Sequence, residues 1–128
     1  MSKFELKVVD KSEGITSFSS LSSIKRENRG EKVGHAGTLD KFASGLMLVM
    51  IGNATKLNPI FSSFGKRYIA TIKFGEETDT LDPEGEVIAT SDIPQYDEVK
   101  RSTDSFIGAQ KQTPPIYSAL HIDGKRAY

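Results

Sequence analysis

The longest uninterrupted apolar stretch of the chain runs from Leu46 to Ile51 and lies between Gly45 and Gly52. A continuous apolar run of this length between glycines is typical of a β-strand that is covered on both faces. The run is far too short to cross a bilayer, which requires about 20 apolar residues in a helix. We therefore expect it to form a central strand of a buried sheet.

Further strand and helix patterns lie on both sides of this run. Apolar and polar residues alternate from Phe4 to Asp10, which predicts a strand. Thr16 or Ser17 can cap a helix that ends at Gly30. The other expected elements are a short helix at Asn53–Phe61, a strand at Lys66–Phe74, a helix at Asp97–Phe106 and a hairpin turn at Asp123–Gly124. Together they predict an α+β fold, with a mostly antiparallel sheet and packed helices.

The composition limits the chemistry that the chain can perform. Its 128 residues predict one domain, and the absence of cysteine excludes disulfide scaffolds, zinc ribbons and thiol catalysis. The two histidines, His35 and His121, are too few for a histidine-rich metal site. The first five residues contain no apolar signal region, so the cytoplasm is the default location and no membrane partner is expected.

Charge is divided unequally between the two halves of the chain. The total is 17 basic and 17 acidic residues, a net charge of zero. Residues 1–68 carry 11 basic and 6 acidic side chains, net +5, and residues 69–128 carry the complement, net −5. Four basic side chains lie within residues 25–32. Charge alone favours an ordinary solvated surface, and the alternative is a patch that binds the phosphates of a nucleic acid.

The segment Gly34–Asp40 is the best candidate for chemistry. Its two glycines permit positive φ values and a close approach of the backbone. Asp40 ends the segment beside Lys41, and a carboxylate held by backbone donors near a cation stays ionised, which suits a nucleophile or general base. On spacing alone, the more common role of Asp40 is to cap the turn Lys41–Ser44. The corresponding common role of His35 is that of a hydrogen-bonded loop histidine.

Four sequence blocks lie in order along nearly the whole chain. They are Asp10–Lys11 with Gly14–Ser17; Lys32–Asp40 continuing through Ala43–Leu46 to Gly52–Leu57; Lys66–Tyr68 with Gly75, Thr78–Thr80, Asp82 and Gly85; and Gln112–Ala119 with Gly124, Arg126 and Tyr128. In order and spacing they resemble the signature blocks of the TruB-type tRNA pseudouridine synthases. Four ordered blocks are far more specific than a single glycine motif.

The resemblance implies a fold and an activity. It implies the pseudouridine synthase catalytic fold and isomerisation of uridine 55 in the T-loop of tRNA, with no metal and no cofactor. Asp40 falls on the family's catalytic aspartate, the nucleophile of the proposed covalent mechanisms. Tyr68 falls on the tyrosine that stacks on the target base and is implicated in proton transfer, and His35 on the histidine that displaces the target nucleotide. Lys56, in the last part of the signature, is expected to contact the substrate.

Two departures from the family pattern affect these blocks. Ser12 stands where the family usually has proline, and Lys41 stands where proline usually follows the catalytic aspartate. Loss of the second proline removes a rigid backbone constraint next to Asp40, so a looser loop is expected.

The resemblance also indicates how much of the catalytic domain the chain contains. Residues 1–128 are expected to be the N-terminal portion of a single catalytic domain, without the active-site arginine, the rest of the sheet or a separate C-terminal RNA-binding domain. The alternative function is that the 128-residue chain alone is an inactive RNA-binding piece, whose exposed sheet edge could pair with another copy. A purely non-catalytic binding module is disfavoured, because His35, Asp40 and Tyr68 are all retained.

Overall fold

The computed structural model describes residues 3–113, 121–122 and 125–126. The chain forms two compact units, Met1–Tyr68 and Ile69–Tyr128. Helices and antiparallel strands both occur, which confirms the predicted α+β class. The first unit therefore carries the net charge of +5, and the second unit carries the net charge of −5. Among the described residues, no helix is long and apolar enough to cross a membrane.

The first unit contains an antiparallel three-stranded sheet. Its strands are β1 (Phe4–Lys11), β2 (Val33–His35) and β3 (Gly45–Gly52), and β3 lies between the other two. Strands β1 and β3 pair over eight residues, from Phe4 opposite Gly52 to Lys11 opposite Gly45. The apolar run thus forms the central strand of its sheet, as predicted.

One face of this sheet packs against two short helices, α1 (Ser17–Ser20) and α2 (Ser22–Glu27). The buried cluster consists of Leu21, Ile24, Val49 and Ile51, with Val9 and Val33 packed against it. The spacing of Leu21 and Ile24 is one helical turn, so both side chains point to the same side. This small cluster is the core on which the first unit depends.

The opposite face of the sheet is largely open. Phe4, Leu6 and Val8 are 61%, 42% and 66% exposed. Leu46, at the start of β3, is 70% exposed, whereas Met50 is fully buried. The expectation that the whole run is covered on both faces is therefore wrong for its first residue.

The helix expected from the Thr16/Ser17 cap to Gly30 is interrupted at Leu21. Thr16 is the N-cap, since its hydroxyl accepts a hydrogen bond from the Ser19 amide at 3.1 Å. The backbone at Leu21 has ψ near 0°, which ends α1 and begins α2. The structure therefore assigns the cap to Thr16, and the hydroxyl of Ser17 is left for other partners.

A 3₁₀ helix (Asn53–Leu57) and a short helix α3 (Asn58–Ser62) follow β3. Gly52 makes this connection with φ of +64°, and a Cβ atom there would collide with the carbonyl of Lys3. The same Lys3 carbonyl accepts a hydrogen bond from the Asn53 amide at 2.7 Å. Only glycine fits this crossing of the backbone.

Within its described residues, the second unit contains two strand pairs and one longer helix. Strands β4 (Glu76–Thr78) and β5 (Val87–Thr90) pair antiparallel, and α4 spans Tyr96–Ser105. Gln95 and Glu98 form a reciprocal capping box at the start of α4. This helix confirms the prediction for Asp97–Phe106 within one residue at each end.

One predicted strand does not form, and one predicted turn lies outside the described residues. Lys66–Phe74 forms no strand, because no described segment pairs with its backbone. A period-two pattern predicts which side chains share a face, but it does not supply a hydrogen-bonding neighbour. Strands β6 (His121–Ile122) and β7 (Lys125–Arg126) pair antiparallel, and the predicted Asp123–Gly124 turn lies outside the described residues.

A lysine at the end of β1 is completely buried. Lys11 is 0% exposed. Its ammonium donates to the carbonyls of Ser12 at 3.1 Å, Lys41 at 3.3 Å and Ala43. A lysine ammonium has three N–H donors, so all of them find an acceptor. Through these bonds the end of β1 holds residues 41–43.

We predict that the buried helix–sheet cluster dominates the stability of the first unit. Leu21→Ala is expected to lower the free energy of unfolding of the 128-residue chain by about 2–5 kcal/mol, because it opens a cavity in the cluster. The matched variant Leu46→Ala is expected to change it by less than about 0.5 kcal/mol, because that side chain is mostly exposed. Urea unfolding measures both. Equal losses for the two variants would contradict the observed packing.

We also predict a specific role for the buried lysine. Lys11→Met keeps an unbranched side chain but removes the donor to the part-buried carbonyls of Ser12, Lys41 and Ala43, which should cost about 1–3 kcal/mol of unfolding free energy. Lys7→Met is the matched control on the same face of β1. Lys7 forms only longer ion pairs, 3.6 Å to Glu5 and 3.5 Å to Glu27, so its loss should cost less than about 1 kcal/mol. A Lys11→Met variant as stable as Lys7→Met would show that the carbonyl contacts are unimportant.

Candidate functional site

The candidate loop leaves the sheet at the end of β2. His35 is the last residue of β2 and pairs with Val49. The Ala36 amide still donates to the Leu48 carbonyl at 2.9 Å. At Gly37 the backbone takes φ of +106°, a value that glycine adopts readily, and the chain turns away from β3.

The His35 ring is oriented by the loop itself. Its Nδ1 atom lies 2.6 Å from the Gly37 carbonyl oxygen. Because a carbonyl oxygen only accepts, Nδ1 must carry the proton in this hydrogen bond. The second ring nitrogen, Nε2, remains for another partner. The prediction of a hydrogen-bonded loop histidine is confirmed, and the half-buried ring still presents one nitrogen.

The Asp40 side chain is exposed. Its backbone carbonyl accepts a hydrogen bond from the Ala43 amide at 3.1 Å, which closes the turn. Within the part of the chain that the structure describes, the Asp40 carboxylate forms no hydrogen bond and no ion pair. The interpretation of Asp40 as a side-chain cap is therefore wrong, because a backbone bond closes the turn instead. The expectation that backbone donors hold the carboxylate is wrong for the same segment.

The backbone on either side of Asp40 is firmly bonded. The Leu39 amide donates to the Ser17 hydroxyl at 2.9 Å, and that hydroxyl lies 2.8 Å from the Leu39 carbonyl, to which it donates. The Lys41 carbonyl accepts from the Gly14 amide at 2.8 Å and from Lys11. These bonds restrain the backbone at Lys41, which stands where the family usually has proline. The loss of that proline is the reason for which a looser loop is expected here. The loop thus combines an unpartnered carboxylate with a restrained backbone.

A second segment of the first unit approaches this loop. The Lys66 side chain passes Gly37 so closely that its Cε atom lies 3.7 Å from the position of a Cβ on that glycine. The Lys66 ammonium donates to the carbonyls of Ser62 at 2.7 Å and Phe64 at 3.2 Å, which keeps the side chain in place. Tyr68 follows two residues later and is 67% exposed. The Lys66 side chain, two residues before Tyr68, therefore lies against the loop that contains His35 and Asp40.

Lys56 lies in a different group of residues. It is exposed on the 3₁₀ helix and lines a shallow depression of about 270 Å³. Lys32, from the basic cluster of residues 25–32, borders the same depression, as does Glu31. The depression contains no residue of the loop 35–40. The structure places Lys56 with the basic cluster and does not place it beside Asp40.

The sequence patterns did not identify three residues that support the loop. The patterns indicate Ser17 as a possible helix cap and Lys66 as the first residue of a strand, and neither pattern predicts a contact with the loop. Lys11 carried no signal of burial, since lysine is almost never fully buried without partners. One signal was available, because both Lys11 and Ser17 belong to the first of the four ordered blocks. Across the described residues, no three His, Asp or Glu side chains come together as a cluster that could hold a metal ion.

Comparison with known proteins identifies relatives of this chain. A family model described as TruB family pseudouridylate synthase (N terminal domain) matches residues 25–128. The chain is 46% identical over 122 residues to tRNA pseudouridine synthase B of Borreliella burgdorferi (strain ZS7), covering 94% of this chain and 43% of that protein.

Two further relatives carry the same name. The identity is 49% over 117 residues with the protein of Treponema denticola, covering 91% of this chain and 33% of that protein. It is 43% over 121 residues with the protein of Ehrlichia chaffeensis, covering 94% and 41%. The chain spans less than half the length of the relatives it matches. The extent of the family match and these identities show that the chain belongs to the TruB family of pseudouridylate synthases.

Proposed function

We propose that the complete protein converts uridine to pseudouridine in tRNA, at position 55 of the T-loop. The observation that carries this proposal is the Asp40 carboxylate, which is exposed and without a partner among the described residues on a loop whose backbone is bonded on both sides. The relatives named tRNA pseudouridine synthase B support the reaction and the class of RNA. Both units of the chain would belong to one catalytic domain.

The reaction is an isomerisation, so it needs a group that assists bond exchange and no external oxidant or reductant. The bond between ribose C1′ and uracil N1 breaks, and a bond between C1′ and C5 forms. A proton leaves C5, and one is taken up at N1. Asp40 is proposed as the nucleophile of this exchange, since an ionised carboxylate can form and release a covalent bond to an electrophilic carbon.

The other loop residues would act on the target nucleotide. A base within a folded RNA loop must leave its stack before an enzyme can reach the glycosidic carbon. We assign to His35 the displacement of the nucleotide, because its Nδ1 is engaged by Gly37 and its Nε2 is available. We assign to Tyr68 the stacking contact with the flipped base, since its ring is largely exposed. Such a contact contributes about 1–3 kcal/mol.

The basic first unit would face the RNA. Seven of its basic side chains are exposed besides Lys3: Arg26, Arg29, Lys32, Lys41, Lys56, Lys66 and Arg67. Lysine and arginine at phosphates release condensed counterions and position the RNA without reading its sequence. Lys32 and Lys56 border one depression, which supports Lys56 as a substrate contact at the RNA backbone and not at the reacting base.

We predict that Asp40→Asn in the complete protein abolishes pseudouridine formation, with a loss of at least about 10³-fold in kcat, because an amide is not a nucleophile of this kind. The substrate is a T-stem-loop RNA, and product is measured by mass spectrometry after chemical labelling of pseudouridine. RNA affinity should change less than about threefold. Glu27→Gln, a matched change of an exposed carboxylate on α2, should retain full activity.

This assay separates the reaction from the choice of site. Activity that survives Asp40→Asn would refute the role of Asp40. Modification of an anticodon stem-loop in preference to the T-stem-loop would refute position 55 while leaving the reaction intact.

We further predict that the basic cluster sets the salt dependence of RNA binding. Replacing Arg26, Arg29 and Lys32 together by Gln should weaken affinity and reduce the slope of log K against log salt by about 0.7–0.9 for each lost phosphate contact. The matched triple change at Lys73, Lys100 and Arg101 in the second unit should leave the slope unchanged. Lys73 and Lys100 already pair with Glu76 and Asp104. Equal slopes for both triple variants would remove the cluster from the RNA-binding surface.

A further inference from the structure

We propose that Ser17 is a positioning residue for Asp40, acting through the backbone of Leu39. This role rests on the proposed function, because it matters for catalysis only if Asp40 is the nucleophile. Ser17 itself does not reach the reacting atoms. Its hydroxyl would determine where the Asp40 carboxylate is presented.

A single hydroxyl holds both polar groups of one loop residue. The Ser17 Oγ atom accepts from the Leu39 amide at 2.9 Å and donates to the Leu39 carbonyl at 2.8 Å. A serine hydroxyl has one donor and two acceptor sites, so both bonds can form together. Ser17 is 3% exposed, so water is largely excluded from these bonds. The hydroxyl thus bonds both the amide and the carbonyl of Leu39, as the backbone of a neighbouring strand does for a residue in a sheet.

The two bonds restrain the peptide group that leads to Asp40. The Leu39 carbonyl and the Asp40 amide belong to the same planar unit. When the Leu39 amide and carbonyl are both fixed, the direction in which the chain enters Asp40 is fixed as well. On the far side, the Asp40 carbonyl bonds the Ala43 amide at 3.1 Å. The remaining freedom of Asp40 is therefore confined to its side-chain torsions.

Ser17 is free to do this because a neighbour caps the helix. The Thr16 hydroxyl accepts from the Ser19 amide, which is the usual work of a cap. Ser20, on the same helix, donates to the Ser17 carbonyl at 2.7 Å and makes no bond to the loop. Ser17 and Ser20 therefore offer two hydroxyls on α1, of which only one reaches residue 39. This pair separates an effect on the loop from an effect on the helix.

The test compares Ser17→Ala with Ser20→Ala in the complete protein on the T-stem-loop RNA. Displacing a reacting group by about 1 Å can cost up to about 10²-fold in rate. We expect Ser17→Ala to lower kcat by about 10- to 100-fold while KM stays within about twofold. Ser20→Ala should keep kcat within about twofold of the wild type. A Ser17→Ala variant with the kcat of Ser20→Ala, or one changed only in KM, would overturn the proposal.

A second variant covers the case in which Ser17→Ala does not fold. Ser17→Cys enlarges the side chain only slightly but offers only a weak donor and a weak acceptor. We expect a smaller loss of kcat, about three- to tenfold, again without a change in KM. A Ser17→Cys variant with wild-type kcat would also overturn the proposal.

Hydrogen exchange distinguishes failure of this proposal from failure of the proposed function. The peptide that contains the Leu39 amide should exchange faster in Ser17→Ala than in Ser20→Ala, because only the first change removes its acceptor. If the wild-type protein forms no pseudouridine, the proposed function fails, and faster exchange still supports Ser17 as the group that holds Leu39. Unchanged exchange in Ser17→Ala would show that Ser17 does not hold the segment.

Discussion

The antiparallel pairing of β1 with β3 determines the position of the groups around Asp40. Eight residue pairs end with Lys11 opposite Gly45, and this places the lysine on the helix-covered face, in phase with Val9. A slip of one residue would turn every β1 side chain to the other face. Lys11 would then leave the carbonyls of Lys41 and Ala43, and Phe4 and Val8 would turn toward the helices. The register that builds the small core is thus the same register that holds the loop.

The loop shows how the side chain of the proposed nucleophile can be positioned without being bound by partners of its own. A carboxylate held by strong partners would be well positioned, but it would have to lose them before it could react. Here the partners bond the backbone of Leu39 and Lys41, and the Asp40 carboxylate has none among the described residues. The conformational entropy of the loop is therefore lost during folding and not during the reaction. This is the basis of catalysis by pre-organised groups.

Sequence patterns predicted the helices and strands that depend on residues within the element itself. The apolar run, the Phe4–Asp10 alternation and the helix of the second unit depend on periodicity and caps, and all three form. Lys66–Phe74 has an equally clear alternation, but no described segment pairs with it. The two adjacent hydroxyls of Thr16 and Ser17 are equivalent in sequence, and only the fold decides that one caps the helix and the other bonds Leu39. Burial of Lys11 depends on carbonyls 30 residues away, which no local pattern records.

The residues that bond the loop are synthesised before the loop itself. Lys11, Gly14 and Ser17 bond the backbone of residues 39–43 from outside the loop, and each of them is synthesised before the residue that it holds. Strand β3 then completes the pairing of β1. The backbone bonds around Asp40 can therefore form once residue 52 has emerged from the ribosome, since none of these partners lies in the acidic second half of the chain. During synthesis the backbone around the candidate nucleophile would not have to wait for residues 69–128 before it forms these bonds.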